Sequence, residues 1–304
     1  MTPVARREFL RQVSLFCTAA TVGGVSTTSA PALDPIQRNG ESKFKFSLAA
    51  YSYRNLLQDG NSDFSLTDFI DDCARMQLEG TELTSYYFPE PVTHDTLRTL
   101  KQQCFRLGLD VSGTAVGNDF GFPPGDKRDQ QIAHLKRWIE YAEILGAPVI
   151  RVFAGHVKEN STPQETHQLI VSGLEECCEY AGQHGIFLAL ENHGGPTSTA
   201  DGLLALARDV NSPWFGINLD TGNFHSADIY GDLARVAPLA INVQVKVVVS
   251  GPDGQKQPAD FRRLARILRE ANYRGYIVLE YEEPADPREA CPAYVEQLRD
   301  AFSA

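Results

Sequence analysis

The chain has 304 residues, with 28 Lys and Arg against 39 Asp and Glu and a formal net charge of −11. This balance offers no basic stripe along which a phosphate backbone could lie, which argues against nucleic acid as a partner. The six cysteines form no C-x-x-C pair and an odd number follow residue 32, so they read as packed thiols, not as a disulfide framework or a zinc site.

The N-terminal residues differ in character from the rest. Arg6-Arg7-Glu8-Phe9-Leu10-Arg11 sets two arginines ahead of an apolar pair, residues 13–25 are mildly apolar and uncharged, and Ala30-Pro31-Ala32 supplies small residues at the spacing a signal peptidase accepts. The segment resembles a twin-arginine export signal, with Ala5 in place of the usual Ser or Thr. The resemblance implies removal of residues 1–32, a flexible lead-in over 33–44, and a protein that folds before delivery to the periplasm or another extracytoplasmic space. The apolar run is shorter than the about 20 residues that span a bilayer, so no membrane association is expected once it is removed. Loss of its three Arg and one Glu takes the net charge from −11 to −13.

From residue 45 onward, short apolar runs alternate with longer amphipathic segments and no Pro/Gly-rich linker intervenes. In chain order the pattern predicts strands at 46–50, 80–86, 109–115, 148–153, 186–191, 215–220, 241–247 and 276–281. Helices are predicted near 66–77, 94–106, 129–145, 163–184, 199–209, 228–237, 258–272 and 287–302, with Ser65, Thr93, Thr162 and Ser198 as candidate N-caps. Near-continuous apolarity suits strands covered on both faces. Eight strand–helix repeats predict an α/β fold, a closed (β/α)8 barrel forming a single domain over 45–304. An open doubly wound sheet is disfavoured because no G-x-G-x-x-G turn follows the first strand.

Such a barrel carries its chemistry at the C-terminal strand ends. Four consecutive ends there read Leu190-Glu191-Asn192-His193, Leu219-Asp220-Thr221-Gly222-Asn223, Val243-Gln244-Val245-Lys246 and Leu279-Glu280. Lone carboxylates among aliphatics bear a large desolvation cost, and three converging ones repel each other. A divalent cation held by Glu191, Asp220, Gln244 and Glu280 removes both problems. Taken singly, Glu191 or Glu280 could instead pair with Arg151 or Lys246, Asp220 could cap a turn, and Gln244 could be a polar strand residue.

Of the seven histidines, His94, His134, His167 and His184 fall in helical stretches. His156, His193 and His225 lie just beyond strand ends and are candidates for substrate contacts. Lys246, Arg151, Asn118, Glu82 and Tyr86 join them as candidate substrate-binding residues, and Tyr51, Tyr53, Tyr87, Phe120 and Trp214 offer aromatic faces for the C–H side of a sugar. No glycine-rich anion loop follows strand seven: Ser250-Gly251-Pro252-Asp253-Gly254 carries an acid.

The four strand-end phrases resemble the xylose-isomerase-like barrel superfamily of sugar isomerases, epimerases and inosose dehydratases, which also contains a class of apurinic endonucleases. The resemblance covers the chain beyond the export segment and implies a metal bound by Glu, Asp, His and Glu, which places ligands at Glu191, Asp220, position 244 and Glu280. Gln244 departs from the usual His, giving an all-oxygen set that favours Mn²⁺ or Mg²⁺, with Co²⁺ admissible, over Zn²⁺. Asn223 replaces a His common among the epimerases and endonucleases, which argues against the multi-zinc endonuclease.

The expected chemistry is proton abstraction beside a carbonyl through a metal-stabilised enediolate, with Glu191 and Glu280 as acid and base. Isomerisation or epimerisation of a sugar follows, or, with the same site, elimination or hydration on a 3-keto-glycoside. A metal-free glycosidase and a non-catalytic sugar-binding barrel are the competing readings, and a homo-oligomer is admissible.

Overall fold

The computed structural model describes residues 35–58 and 63–303, so the proposed export segment lies outside the described residues. Eight parallel strands close into a barrel in the order β1-β10-β7-β6-β5-β4-β3-β2. They are β1 (Lys43–Ala49), β2 (Gly80–Thr84), β3 (Asp110–Ala115), β4 (Val149–Val152), β5 (Phe187–Glu191), β6 (Phe215–Asp220), β7 (Ala240–Val245) and β10 (Arg274–Leu279). β1 begins two residues before the expected barrel start, and the lead-in is already tied down, with the Ile36 amide donating to the Pro238 carbonyl at 3.1 Å.

The strands form where the apolar runs predict them because both faces are covered. Inward and outward positions alike are buried along Gly80–Thr84, Val149–Val152 and Phe215–Asp220. Around them stand the helices α1 (Arg54–Leu57), α2 (Leu66–Arg75), α3 (His94–Arg106), α4 (Asp126–Leu145), α5 (Pro163–Gln183), α6 (Ala200–Asp209), α7 (Ile229–Val236), α8 (Phe261–Glu270) and α9 (Pro287–Ser303). Ser65 and Thr162 each close a capping box, and Thr93 accepts from the Thr96 amide. The expected cap at Ser198 is displaced by one residue: Thr199 accepts from the Gly202 amide and Ala200 opens α6.

Two features escape the apolar pattern. Val248–Ser250 (β8) and Lys256–Pro258 (β9) form an antiparallel hairpin after β7, where the run of valines reads as one longer strand. The second is a pair of bulges. Ser112 is an extra residue of β3 between the pairs Thr81–Val111 and Glu82–Gly113, and Ile241 is an extra residue of β7 between Ile217–Ala240 and Asn218–Asn242. A one-residue shift exchanges the faces of every side chain beyond it. The extra residue at Ile241 packs where Gly216 leaves room, since a Cβ on Gly216 would lie 2.7 Å from Ile241.

The cysteines Cys73, Cys104, Cys177, Cys178 and Cys291 are buried free thiols whose pKa values burial pushes up, as packed thiols should be. No described helix is long and apolar enough to cross a membrane.

The Thr162 cap joins two satisfied donors to a proline at the start of α5: its hydroxyl accepts from the Glu165 amide at 3.1 Å, and Glu165 accepts from the Thr162 amide at 2.7 Å. Thr162→Ala should therefore lower unfolding free energy by about 1 kcal/mol, read as a reduced urea midpoint at unchanged slope. An unchanged midpoint would show that the cap does not contribute.

Candidate active site

The strand ends present Glu191, Asp220 and Glu280 at one mouth of the barrel, and each is positioned by its neighbours. The Asn192 amide brackets the Asp220 backbone, donating to its carbonyl and accepting from its N–H, both at 2.9 Å. Thr221 accepts from the Lys246 amide at 3.0 Å and so holds the exit of β7 against β6. Ser52 accepts from the Tyr281 amide at 2.9 Å, while Arg54 donates to the carbonyls of Tyr281 and Glu282 at 3.0 and 2.8 Å. The segment after β10 is thereby anchored to the segment after β1.

Two cations meet these carboxylates. Arg151 Nε lies 2.9 Å from Glu191 Oε2, and the same guanidinium donates to the Val116 carbonyl at 3.0 Å. The other Glu191 oxygen accepts from Asn223 at 2.8 Å and lies 3.0 Å from His193 Nδ1. Phe153 packs between the two sides, with the Arg151 guanidinium 4.0 Å and the His193 ring 4.3 Å from its centroid. Lys246 makes a short ion pair with Glu280 and lies 2.9 Å from Glu282 and 3.4 Å from Asp220. The pairings of Glu191 with Arg151 and Glu280 with Lys246, open alternatives in the sequence, are both present.

The electrostatics follow from this arrangement. Burial opposes charging of Lys246 and Arg151, yet the adjoining carboxylates outweigh it and raise both pKa values. Burial likewise opposes ionisation of Glu280, but the Lys246 ammonium holds it below the ordinary range. Asp220 goes the other way: burial first, then repulsion from Glu191 and Glu280, push it well up against the pull of Lys246. Its Oδ2 is buried and has no hydrogen-bond partner among the described residues.

Below the mouth lies a layer of amides. Gln244 donates to Glu82 at 2.6 Å and accepts from Asn218 at 2.7 Å, while Asn242 reaches Glu82 at 3.1 Å and Asn218 at 2.8 Å. Glu82, 1% exposed, is pushed up to about 7 by burial and then by Glu280.

A cavity of about 210 Å³ opens between these groups, lined by Tyr51, Tyr86, Arg151, Phe153, Glu191, His193, Lys246, Glu280 and Glu282. Tyr86, Arg151, His193 and Lys246 thus line it as the sequence suggests. Four other candidates for substrate contact do not. Glu82 is held in the layer beneath, and Asn118 is used in both directions by the Phe153 backbone at 2.8 and 2.9 Å. His156 and His225 are exposed away from the cavity, with His225 Nδ1 3.2 Å from the Ser250 carbonyl. Among the aromatics, Tyr53 and Phe120 are core residues, and Trp214 precedes β6 and so lies at the opposite end of the barrel, its ring tilted at 52° against Phe187 with centroids 4.9 Å apart. Glu282 and Phe153 were missed. Glu282 follows Glu280 by two, the spacing that returns a side chain to the same side of an extended segment.

The residues present fit a divalent cation by donor chemistry. Asp220 Oδ2 is a buried carboxylate oxygen without a hydrogen-bond partner, and Glu191, Asp220, Glu280 and Glu282 outnumber Arg151 and Lys246 by two. The Gln244 carbonyl oxygen keeps a second lone pair beside its bond from Asn218. Among the described residues no three His, Cys, Asp or Glu side chains are grouped so as to hold a metal ion, and the Lys246 ammonium pairs with Glu280 and lies 3.4 Å from Asp220.

Comparison with known proteins agrees with this architecture. A model of the xylose isomerase-like TIM barrel family matches residues 70–300. The chain belongs to that family. An L-ribulose-5-phosphate 3-epimerase of Escherichia coli is 28% identical over 192 residues, which cover 59% of this chain and 67% of the relative. Among solved structures, the 3-keto-D-glucoside 4-epimerase of E. coli aligns with a TM-score of 0.68 at 16% identity, over 86% of this chain and all of that one. D-Psicose 3-epimerase from Clostridium cellulolyticum H10 aligns with a TM-score of 0.69 at 13% identity, over 85% and 99%. At these identities the structural likenesses establish the fold.

Because Glu82 titrates near 7 in the folded chain against an ordinary 4.5, the folded protein keeps a proton that the unfolded chain releases across that window. Stability attributable to Glu82 is therefore complete below pH 4.5 and lost as pH rises to 7. In chelator-treated protein, Glu82→Gln should gain stability relative to wild type over that range, by no more than about 3 kcal/mol, measured by urea unfolding at several pH values. A difference that stays flat with pH would contradict a neutral, buried Glu82.

Proposed function

We propose that this chain is a divalent-metal-dependent sugar isomerase or epimerase that abstracts a proton from the carbon beside a carbonyl. The observation that carries the reading is the gathering of Glu191, Asp220 and Glu280 at neighbouring strand ends: Glu191 and Glu280 line one small cavity, and a buried Asp220 oxygen 3.4 Å from the cavity-lining Lys246 is left without a hydrogen-bond partner. The epimerase names of the E. coli relative and of the structural neighbours support it. A cavity of about 210 Å³ is below the roughly 300–1,000 Å³ of drug-sized pockets, a scale that suits a monosaccharide unit.

Glu191, Asp220 and Glu280 would hold the ion through carboxylate oxygens and Gln244 through its carbonyl oxygen, a set suited to Mn²⁺ or Mg²⁺. When bound, the ion supplies Lewis-acid polarisation of the substrate's carbonyl and neighbouring hydroxyl. Lys246 keeps Glu280 ionised, so this carboxylate is in its proton-accepting form at neutral pH. Glu191, fixed on one oxygen by Arg151 and on the other by Asn223 and His193, is the second proton-transfer group. Tyr51, Tyr86 and Phe153 offer apolar faces for the C–H side of the sugar.

Return of the proton to the opposite face of the same carbon yields an epimer, and return to the neighbouring carbon yields an isomer. Departure of a β-leaving group gives elimination, the outcome expected on a 3-keto-glycoside. The export-like residues 1–32 support placing this activity outside the cytoplasm.

The test is exchange of substrate C–H with deuterated water, in the presence of Mn²⁺, over a panel of ketoses and keto-glycosides. Exchange is expected with at least one of them and should disappear on chelation. Glu280→Gln should reduce the rate by about 10²–10⁴-fold with an unchanged circular dichroism spectrum. Absence of exchange across the panel, together with no metal in the purified protein, would overturn the reading. Full activity after exhaustive chelation would instead point to a metal-free glycosidase.

A further inference from the structure

The Lys246 ammonium has three N–H donors, and three carboxylates of the protein surround it. Glu280 makes the short ion pair, Glu282 Oε1 lies at 2.9 Å and Asp220 Oδ2 at 3.4 Å. Asp220 and Glu280 are buried, whereas the Glu282 side chain is 38% exposed on the outer side of the cavity. Arg151 is equally committed, to Glu191, to the Val116 carbonyl and to the Tyr86 hydroxyl at 3.4 Å. Both cations that line the cavity are thus engaged by the protein's own acceptors.

Barrels of this kind frequently bind phosphate with the loops after strands seven and eight and a helix N-terminus beside them. Here those loops are acidic. β7 leads into the β8–β9 hairpin, whose tip carries Asp253, and α8 is capped by the Asp260 side chain. After β10 the chain reads Glu280-Tyr281-Glu282-Glu283-Pro284-Ala285-Asp286; of these acids Glu280 and Glu282 line the cavity, and Glu283 pairs with Lys256 of β9 at 2.8 Å. A phosphate dianion entering the cavity would meet the like charge of Glu280 and Glu282, while the Lys246 ammonium is already paired with both.

We infer that Glu282 restricts the cavity to sugars that carry no phosphate, by taking the outward donor of Lys246 that a phosphate oxygen would otherwise use. This rests on reading the cavity as a sugar site and names its substrate class. It separates the chain from its E. coli relative, which is named for a phosphorylated ketose. Glu282 is a specificity-determining residue, and the charge it presents does the excluding.

Calorimetric titration with inorganic phosphate at low ionic strength tests this on the full-length protein without requiring turnover, so it succeeds or fails separately from the exchange assay. Glu282→Ala should bind phosphate about tenfold or more tightly than wild type, as one freed charge-assisted hydrogen bond implies. Glu282→Asp keeps the charge and should match wild type. Adding Lys246→Gln to Glu282→Ala should remove the gain. Equal phosphate affinity in wild type and Glu282→Ala, an equal gain in Glu282→Asp, or a gain that survives loss of Lys246 would each overturn the inference.

Discussion

A carboxylate drawn into the mouth of a barrel loses most of its water, and it stays ionised only if a positive charge or a set of donors is brought to it. In this protein that requirement organises the whole C-terminal face. Arg151 reaches across from β4 to Glu191 on β5, and Lys246, just past β7, serves Asp220 on one side and the segment after β10 on the other. Asp220 has only the longer 3.4 Å approach of Lys246, and burial first, then repulsion from Glu191 and Glu280, pushes its pKa up. Under the function proposed above, an added cation would relieve that imbalance, and an all-oxygen donor set suits a hard divalent ion.

The layer beneath the mouth is polar and buried as well. Glu82, Asn218, Asn242 and Gln244 satisfy one another in a closed set of hydrogen bonds, which fixes the Gln244 amide so that its carbonyl and amino ends are not interchangeable. A fully satisfied buried network of this type specifies one arrangement of the barrel interior, where an aliphatic filling would tolerate several.

Much of this is legible in the amino-acid sequence. The eight strands and their helices stand out because double-sided burial writes continuous apolar runs, and Glu191, Asp220, Gln244 and Glu280 stand out because they interrupt those runs. What the pattern could not supply was direction and partnership. Trp214 looks like a mouth aromatic until its position before β6 puts it at the far end, and Glu82 looks like a substrate contact until depth along the strand places it below the cavity. The hairpin at Val248–Ser250 was concealed because the valines of 247–249 extend the apolar signal of β7 past its true end. Which cation serves which carboxylate is a fact of three-dimensional proximity, so the pairings of Arg151 and Lys246 could be framed only as alternatives.

The extra residue Ile241 has an evolutionary corollary. It sets the phase of Asn242, Gln244 and Lys246 while Gly216 gives it space, so the two positions form a coupled pair although neither approaches the cavity. A related chain lacking the insertion would have to carry the counterpart of Gln244 one residue earlier relative to the strand start. Comparisons that align β7 by residue count alone would then set an outward aliphatic against Gln244 and register a lost polar position where only the counting had slipped.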